Sequence, residues 1–161
     1  YNAIQLGFLK LKAKHTSKPL GGHFKKNNLP AAKVLAEFNT VPKFDYKVGQ
    51  VFNVSLFNEG DIVSISGKSK GRGFSGTIKK YSFSTQRKTH GQGDTHRHVG
   101  SIGAASDPSR VFPGKKMPGR YGNKTVSVKN LEVLSVNELN NQLLVKGSVP
   151  GSTNGIVYVT R

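Results

Sequence analysis

The chain has 161 residues with 25 Lys and Arg against 8 Asp and Glu, a formal charge of +17, so one domain and a polyanionic partner are expected. It contains no cysteine, which excludes thiolate metal sites, disulfides and thiol catalysis. No apolar run approaches the roughly 18 residues of a spanning helix and no basic stretch has an amphipathic helical period, so nucleic acid is favoured over a membrane.

In chain order, AIQLGFLKL (residues 3–11) has the period of a strand. Because the chain opens at Tyr1 without a methionine and already reads as a strand in progress, synthesis is expected to have begun upstream; no signal-peptide pattern is visible. SKPLGGHFKKNNLP is punctuated as turns by Pro19, Gly21, Gly22 and Pro30, and AAKVLAEF (residues 31–38) is the best helix candidate. GQVFNVSLF (49–57) and DIVSIS (61–66) read as strands. Toward the end, TVSVKNLEVLSVN, QLLVKGSVP and GIVYVT are three strands separated by an Asn-Asn turn and a Pro-Gly-Ser turn. Short strands at this spacing predict a mainly β fold, a barrel or sandwich built from residues 1–66 and 125–161.

Residues 67–124 differ in kind. They hold 13 basic residues against two acids, are rich in glycine, and from Gln86 onward show no periodicity. So long a structureless stretch between strands predicts a functional excursion from one domain, whose two arms of about 18 residues could reach at most about 60 Å. Lys68, Lys70, Arg72, Lys79, Lys80, Arg87, Lys88, Arg97, Arg110, Lys115, Lys116, Arg120 and Lys124 would repel one another unless a polyanion neutralised them, which favours binding over a merely solvated surface. His90, His96 and His98 with Asp94 have the composition of a metal site. Arg87, Lys88 and Arg97 crowd the same place and would repel a cation, so RNA contact through imidazole stacking and phosphate hydrogen bonds is preferred and no metal is expected.

Two motifs invite a nucleotide reading. GRGFSG (71–76) matches G-x-G-x-x-G, and a plausible strand precedes it, but TIKKYSFSTQRKTHGQGD has no apolar helical stripe, so no helix is expected to receive a pyrophosphate. SGKS (66–69) resembles the end of a P-loop, yet Ile62 stands where that loop needs glycine. No Ser/His/acid arrangement can be argued from spacing, and two acids are too few for paired carboxylate chemistry. A catalytic role and a cofactor are therefore not expected. GRGFSG reads better as a bend or an element whose backbone N–H groups approach phosphates.

Together, SGKSKGRGFSGTIKKYSF, THGQGDTHRHVGSIGAASDPSRVFPGKKMPGRYGN and LLVKGSVPG resemble the bacterial and organellar form of the large-subunit ribosomal protein L3 family, over nearly the whole chain. The resemblance implies a translation-factor-type β-barrel with short helices and a long, irregular basic extension. It implies a structural role: binding large-subunit rRNA near its 3′ domain, assisting subunit assembly and buttressing the peptidyl transferase centre, beside neighbouring large-subunit proteins. Residues 96–112 would include the extension tip, with Gly100, Ser101, Ile102, Gly103, Ala104, Ala105, Ser106, Asp107 and Pro108 near peptidyl transferase RNA, and residues 113–123 the returning arm. Family members normally begin with further barrel strands, so an N-terminally incomplete barrel is expected. Some bacterial relatives carry a modifiable glutamine at the position matching Ser106, where a serine cannot receive amide methylation. YNAIQLGF with KKMPGR looks like plastid or cyanobacterial members, which places the expected large subunit in plastid stroma or bacterial cytoplasm. The competing readings are a free-standing polyanion-binding module and a nucleotide-binding enzyme.

Overall fold

A computed structural model describes residues 1–40 and 46–161, which fall into two units, residues 1–53 and 54–161. In the first unit, β1 (Ala3–Lys10) pairs antiparallel with β2 (Ala32–Asn39), with Ile4 opposite Phe38, Leu6 opposite Ala36 and Phe8 opposite Val34. The second strand corrects the expectation of a helix over residues 31–38. Ala32, Val34, Ala36 and Phe38 also repeat every second residue, and pairing with β1 overrides the helix propensity of the three alanines.

The stretch expected to be turns instead contains α1 (Lys18–Lys25), entered from an extended Ser17 with Pro19 in its first turn. Proline is accepted there because that N–H has no partner inside the helix. Gly21 and Gly22 each weaken a helix interior by about 1 kcal/mol relative to alanine. A 2.9 Å hydrogen bond between His23 Nε2 and Gln5 Oε1 ties α1 to β1, and Phe24 is buried. The strand expected over residues 49–57 is also absent: Val54–Leu56 is a single 3-10 turn. Val54 N donates to Asn141 Oδ1 at 3.0 Å and Phe57 N to Val54 O at 3.0 Å, so these amides are satisfied without a neighbouring strand.

The second unit is built on a four-stranded antiparallel sheet. β3 (Ile62–Lys68) lies between β6 (Thr125–Asn137) and β8 (Val157–Thr160), and β7 (Gln142–Lys146) pairs with the far side of β6. These are the four strands expected from the sequence. Val63, Ile65, Leu131 and Val133 are buried on one face, with Phe57, Val128, Val136, Leu143, Val145, Val157 and Val159 packed against them; each fully buried side chain of this size contributes about 1.5–3 kcal/mol. From Val63 to Ile65 the partner shifts from Leu131 to Val128, and from Val133 to Ser135 it shifts from Val145 to Leu144. Such bulges bend β6, and Asn130 takes the left-handed conformation beside the first, at φ 59°. A third, two-stranded sheet joins β4 (Phe74–Ser75) to β5 (Gly119–Arg120). The molecule is mainly β, as expected; among the described residues no sheet closes into a barrel.

Candidate nucleic-acid interface

Residues 69–124 leave the sheet and return to it at one point. Lys68 is opposite Thr125 at the end of the β3–β6 ladder, and the next pair is clasped from both sides. Ser69 N donates to Lys124 O at 2.9 Å, Asn123 N to Ser69 O at 3.2 Å, and Ser69 Oγ both donates to Lys124 O and accepts from Lys124 N. The pairing continues outward: Arg72 N donates to Tyr121 O and Tyr121 N to Gly73 O, each at 2.9 Å, and β4 and β5 follow. Loop-closure entropy is thereby met by a short, twisted ladder at the base.

Beyond the ladder, α2 (Thr77–Tyr81) starts at Gly76 and stops at Ser82, which is left-handed at φ 57°. This corrects the expectation that no helix follows GRGFSG. Ser75 and Thr77 are buried, and Ser75 Oγ donates to Arg72 O at 3.1 Å; a β-branched threonine that is buried anchors the turn where the apolar stripe is missing. The dinucleotide reading still fails, because among the described residues every strand pair is antiparallel and that site needs parallel strands joined through the helix.

From Ser82 to Lys124 no side chain is buried. The segment expected to be irregular from Gln86 contains one 3-10 turn, Asp94–Arg97, in which Gln92 Nε2 donates to Thr95 Oγ1. Gln86 N donates to His96 O at 3.0 Å, and His96 Nδ1 is 3.1 Å from Arg87 O. Around the tip Ser101 Oγ donates to Gly103 O at 2.9 Å. Residues Ser101, Ile102, Gly103, Ala104, Ala105, Ser109, Arg110 and Val111 line a shallow concavity.

The basic residues singled out in the sequence all lie in this unit. Lys68 ends β3, Lys70 and Arg72 are on the outgoing ladder, Lys79 and Lys80 on α2, and Arg87, Lys88 and His90 beyond it; His96 and Arg97 are in the 3-10 turn with His98 capping it. Arg110, Lys115 and Lys116 lie on the return, Arg120 in β5 and Lys124 at the clasp. All are exposed except Lys80 and His96, which are half-buried. The two ion pairs given by the described residues, Lys146–Glu132 and Arg161–Asp61, lie elsewhere. Among the described residues no three His, Asp or Glu side chains gather as a metal-holding group. Chemically, such a surface can neutralise a polyanion and hydrogen-bond it.

One relationship was invisible in the sequence: four cations lie over aromatic rings. Arg72 is 5.3 Å from the Tyr121 centroid, Arg110 5.7 Å from Phe112, and Lys80 and Lys116 are 5.0 and 5.8 Å from Tyr81. Lys80 is adjacent to Tyr81 in sequence, but no local signal brings Lys116 to it.

A basic, acid-poor segment clasped onto a small antiparallel sheet is the type of surface that suits a polyanion such as nucleic acid. Residues 26–142 match the family described as Ribosomal protein L3. Among similar proteins, the large ribosomal subunit protein uL3 of Thermotoga petrophila is 46% identical over 159 residues, covering 99% of this chain and 75% of its own length. That of Petrotoga mobilis is 45% identical, covering 99% and 74%, and the large ribosomal subunit protein uL3c of Porphyra purpurea is 45% identical over 161 residues, covering 100% and 78%. The chain belongs to the ribosomal protein L3 family, whose role in the ribosome is structural and not enzymatic.

Proposed function

We propose that this chain binds large-subunit rRNA near its 3′ domain through residues 67–124, assists assembly of the large subunit, and carries its tip, residues 100–108, to the peptidyl transferase RNA. The observation that carries this reading is the clasped segment 67–124 with 13 basic residues against two acids, none of which forms an ion pair among the described residues. Without a polyanion such a surface repels itself. The tip itself is charge-poor and, apart from Ile102, made mostly of small residues, which suits close packing by shape. Similar proteins in Thermotoga petrophila and Porphyra purpurea support placement in the large subunit of a bacterial or plastid ribosome, with neighbouring large-subunit proteins as further partners.

Tagged protein expressed in a bacterial host should co-sediment with large subunits through a sucrose gradient and stay bound after a moderate salt wash. Recovery only at the top of the gradient would favour a free-standing polyanion-binding module. Micromolar binding of ATP or NAD in equilibrium dialysis at physiological salt would overturn both readings in favour of a nucleotide enzyme.

A further inference from the structure

Lys80 and Lys116 come from opposite arms and meet on one ring. Their ammonium nitrogens lie 5.0 and 5.8 Å from the centroid of Tyr81, and Lys80 reaches across to the returning arm, where a Cβ on Gly119 would stand 3.2 Å from its Nζ. Neither lysine has a carboxylate partner among the described residues. The ring attracts each cation but carries no net charge, so both ammoniums keep their charge beside it. Lys80 and Tyr81 are half-buried and Lys116 is exposed; partial burial at Lys80 weakens screening by solvent and strengthens its attraction for an anion.

We propose that Lys80, Tyr81 and Lys116 form a single phosphodiester-binding site that fastens both arms to one backbone phosphate of the RNA. This rests on the rRNA-binding reading above and adds that two particular lysines act on the same phosphate, with Tyr81 as the positioning residue. A phosphodiester group suits the site because each ammonium donates up to three hydrogen bonds and accepts none, while the phosphate presents several acceptor oxygens.

The test is the salt dependence of binding to deproteinised large-subunit rRNA from Thermotoga petrophila, with the whole chain and with Lys80→Gln, Lys116→Gln and the double variant. Circular dichroism melts would verify that each variant is folded. Each phosphate neutralised contributes about 0.7–0.9 to the slope of log K against log salt. If the phosphate is shared, either single variant leaves it neutralised and lowers the slope by less than about 0.3, while the double variant lowers it by about 0.7–0.9. Full loss of about 0.7–0.9 in each single variant and twice that in the double would mean two independent contacts and overturn the shared site. An unchanged slope in the double variant would overturn it as well. Tyr81→Phe should bind as the parent does, whereas Tyr81→Leu should weaken binding about two- to fivefold as the ring attraction is lost. Equal behaviour of the two Tyr81 variants would remove the ring from the site. A parent chain with almost no salt slope would instead sink the rRNA-binding reading itself.

Discussion

Gly122 packs against the backbone carbonyl of Lys70 so closely that a Cβ at position 122 would overlap its oxygen, and Gly122 is also left-handed at φ 72°. The clasp at the foot of the basic excursion therefore requires glycine for two separate reasons. Gly122→Ala should force the arms apart and lower stability by about 2–3 kcal/mol, combining backbone strain with the clash. Gly114→Ala is the control, since position 114 has φ 78° but nothing within 4 Å of an added Cβ, and should cost about 1 kcal/mol from conformation alone. Urea unfolding of the two variants checks this; equal losses would show that the Lys70 contact contributes nothing.

Val63 and Val133 are each 1% exposed and sit at the centre of the apolar cluster. Truncation to alanine should cost about 2–3 kcal/mol at either position, from lost transfer energy plus the cavity left behind. Leu139 is 97% exposed, and Leu139→Ala should stay within about 0.5 kcal/mol of the parent. Denaturant midpoints for the three variants give the comparison directly.

Where a strand is buried on one face, its alternation was legible: β3, β6, β7 and β8 follow from apolar residues at every second position. Legibility failed where partners far along the chain decide. Residues 32–39 are a strand because residues 3–10 lie beside them, although their alanines favour a helix. Pro19 and the glycine pair read as turn punctuation, yet Pro19 lies in the first turn of α1, where proline is tolerated, and burial of Phe24 outweighs the glycines. In the basic segment, composition revealed the charge but not its geometry. Lys116 meets Tyr81 through the antiparallel course of the two arms, which no local window contains.

Affinity for rRNA should be dominated by counterion release, because lysine and arginine are abundant in the excursion and few aromatic rings are free to stack. Three of them, Tyr81, Phe112 and Tyr121, already lie beside cations of the chain itself. The slope of log K against log salt should exceed about two in magnitude, and Lys115→Ala should lower it by about 0.7–0.9. Filter binding across a range of potassium chloride concentrations measures both; a shallower slope for the parent chain would point to stacking or shape as the main source of affinity.

The isolated protein should open first in the basic excursion. Residues 82–124 bury no side chain, so little apolar burial offsets about 1–2 kcal/mol of backbone entropy per ordered residue. Local opening there should need far less free energy than opening of the four-stranded sheet. Trypsin should therefore cut the free protein first after Arg87, Arg97 and Arg110, all exposed and outside the ladder. Arg120 is equally exposed but paired with Phe74 across β4 and β5, so its bond should be cut later. Inside assembled large subunits all four should resist cleavage if rRNA envelops the excursion. Mass spectrometry of timed digests reads out the order; early cleavage at Arg120, or unchanged cleavage after assembly, would contradict the clasp and the envelopment respectively.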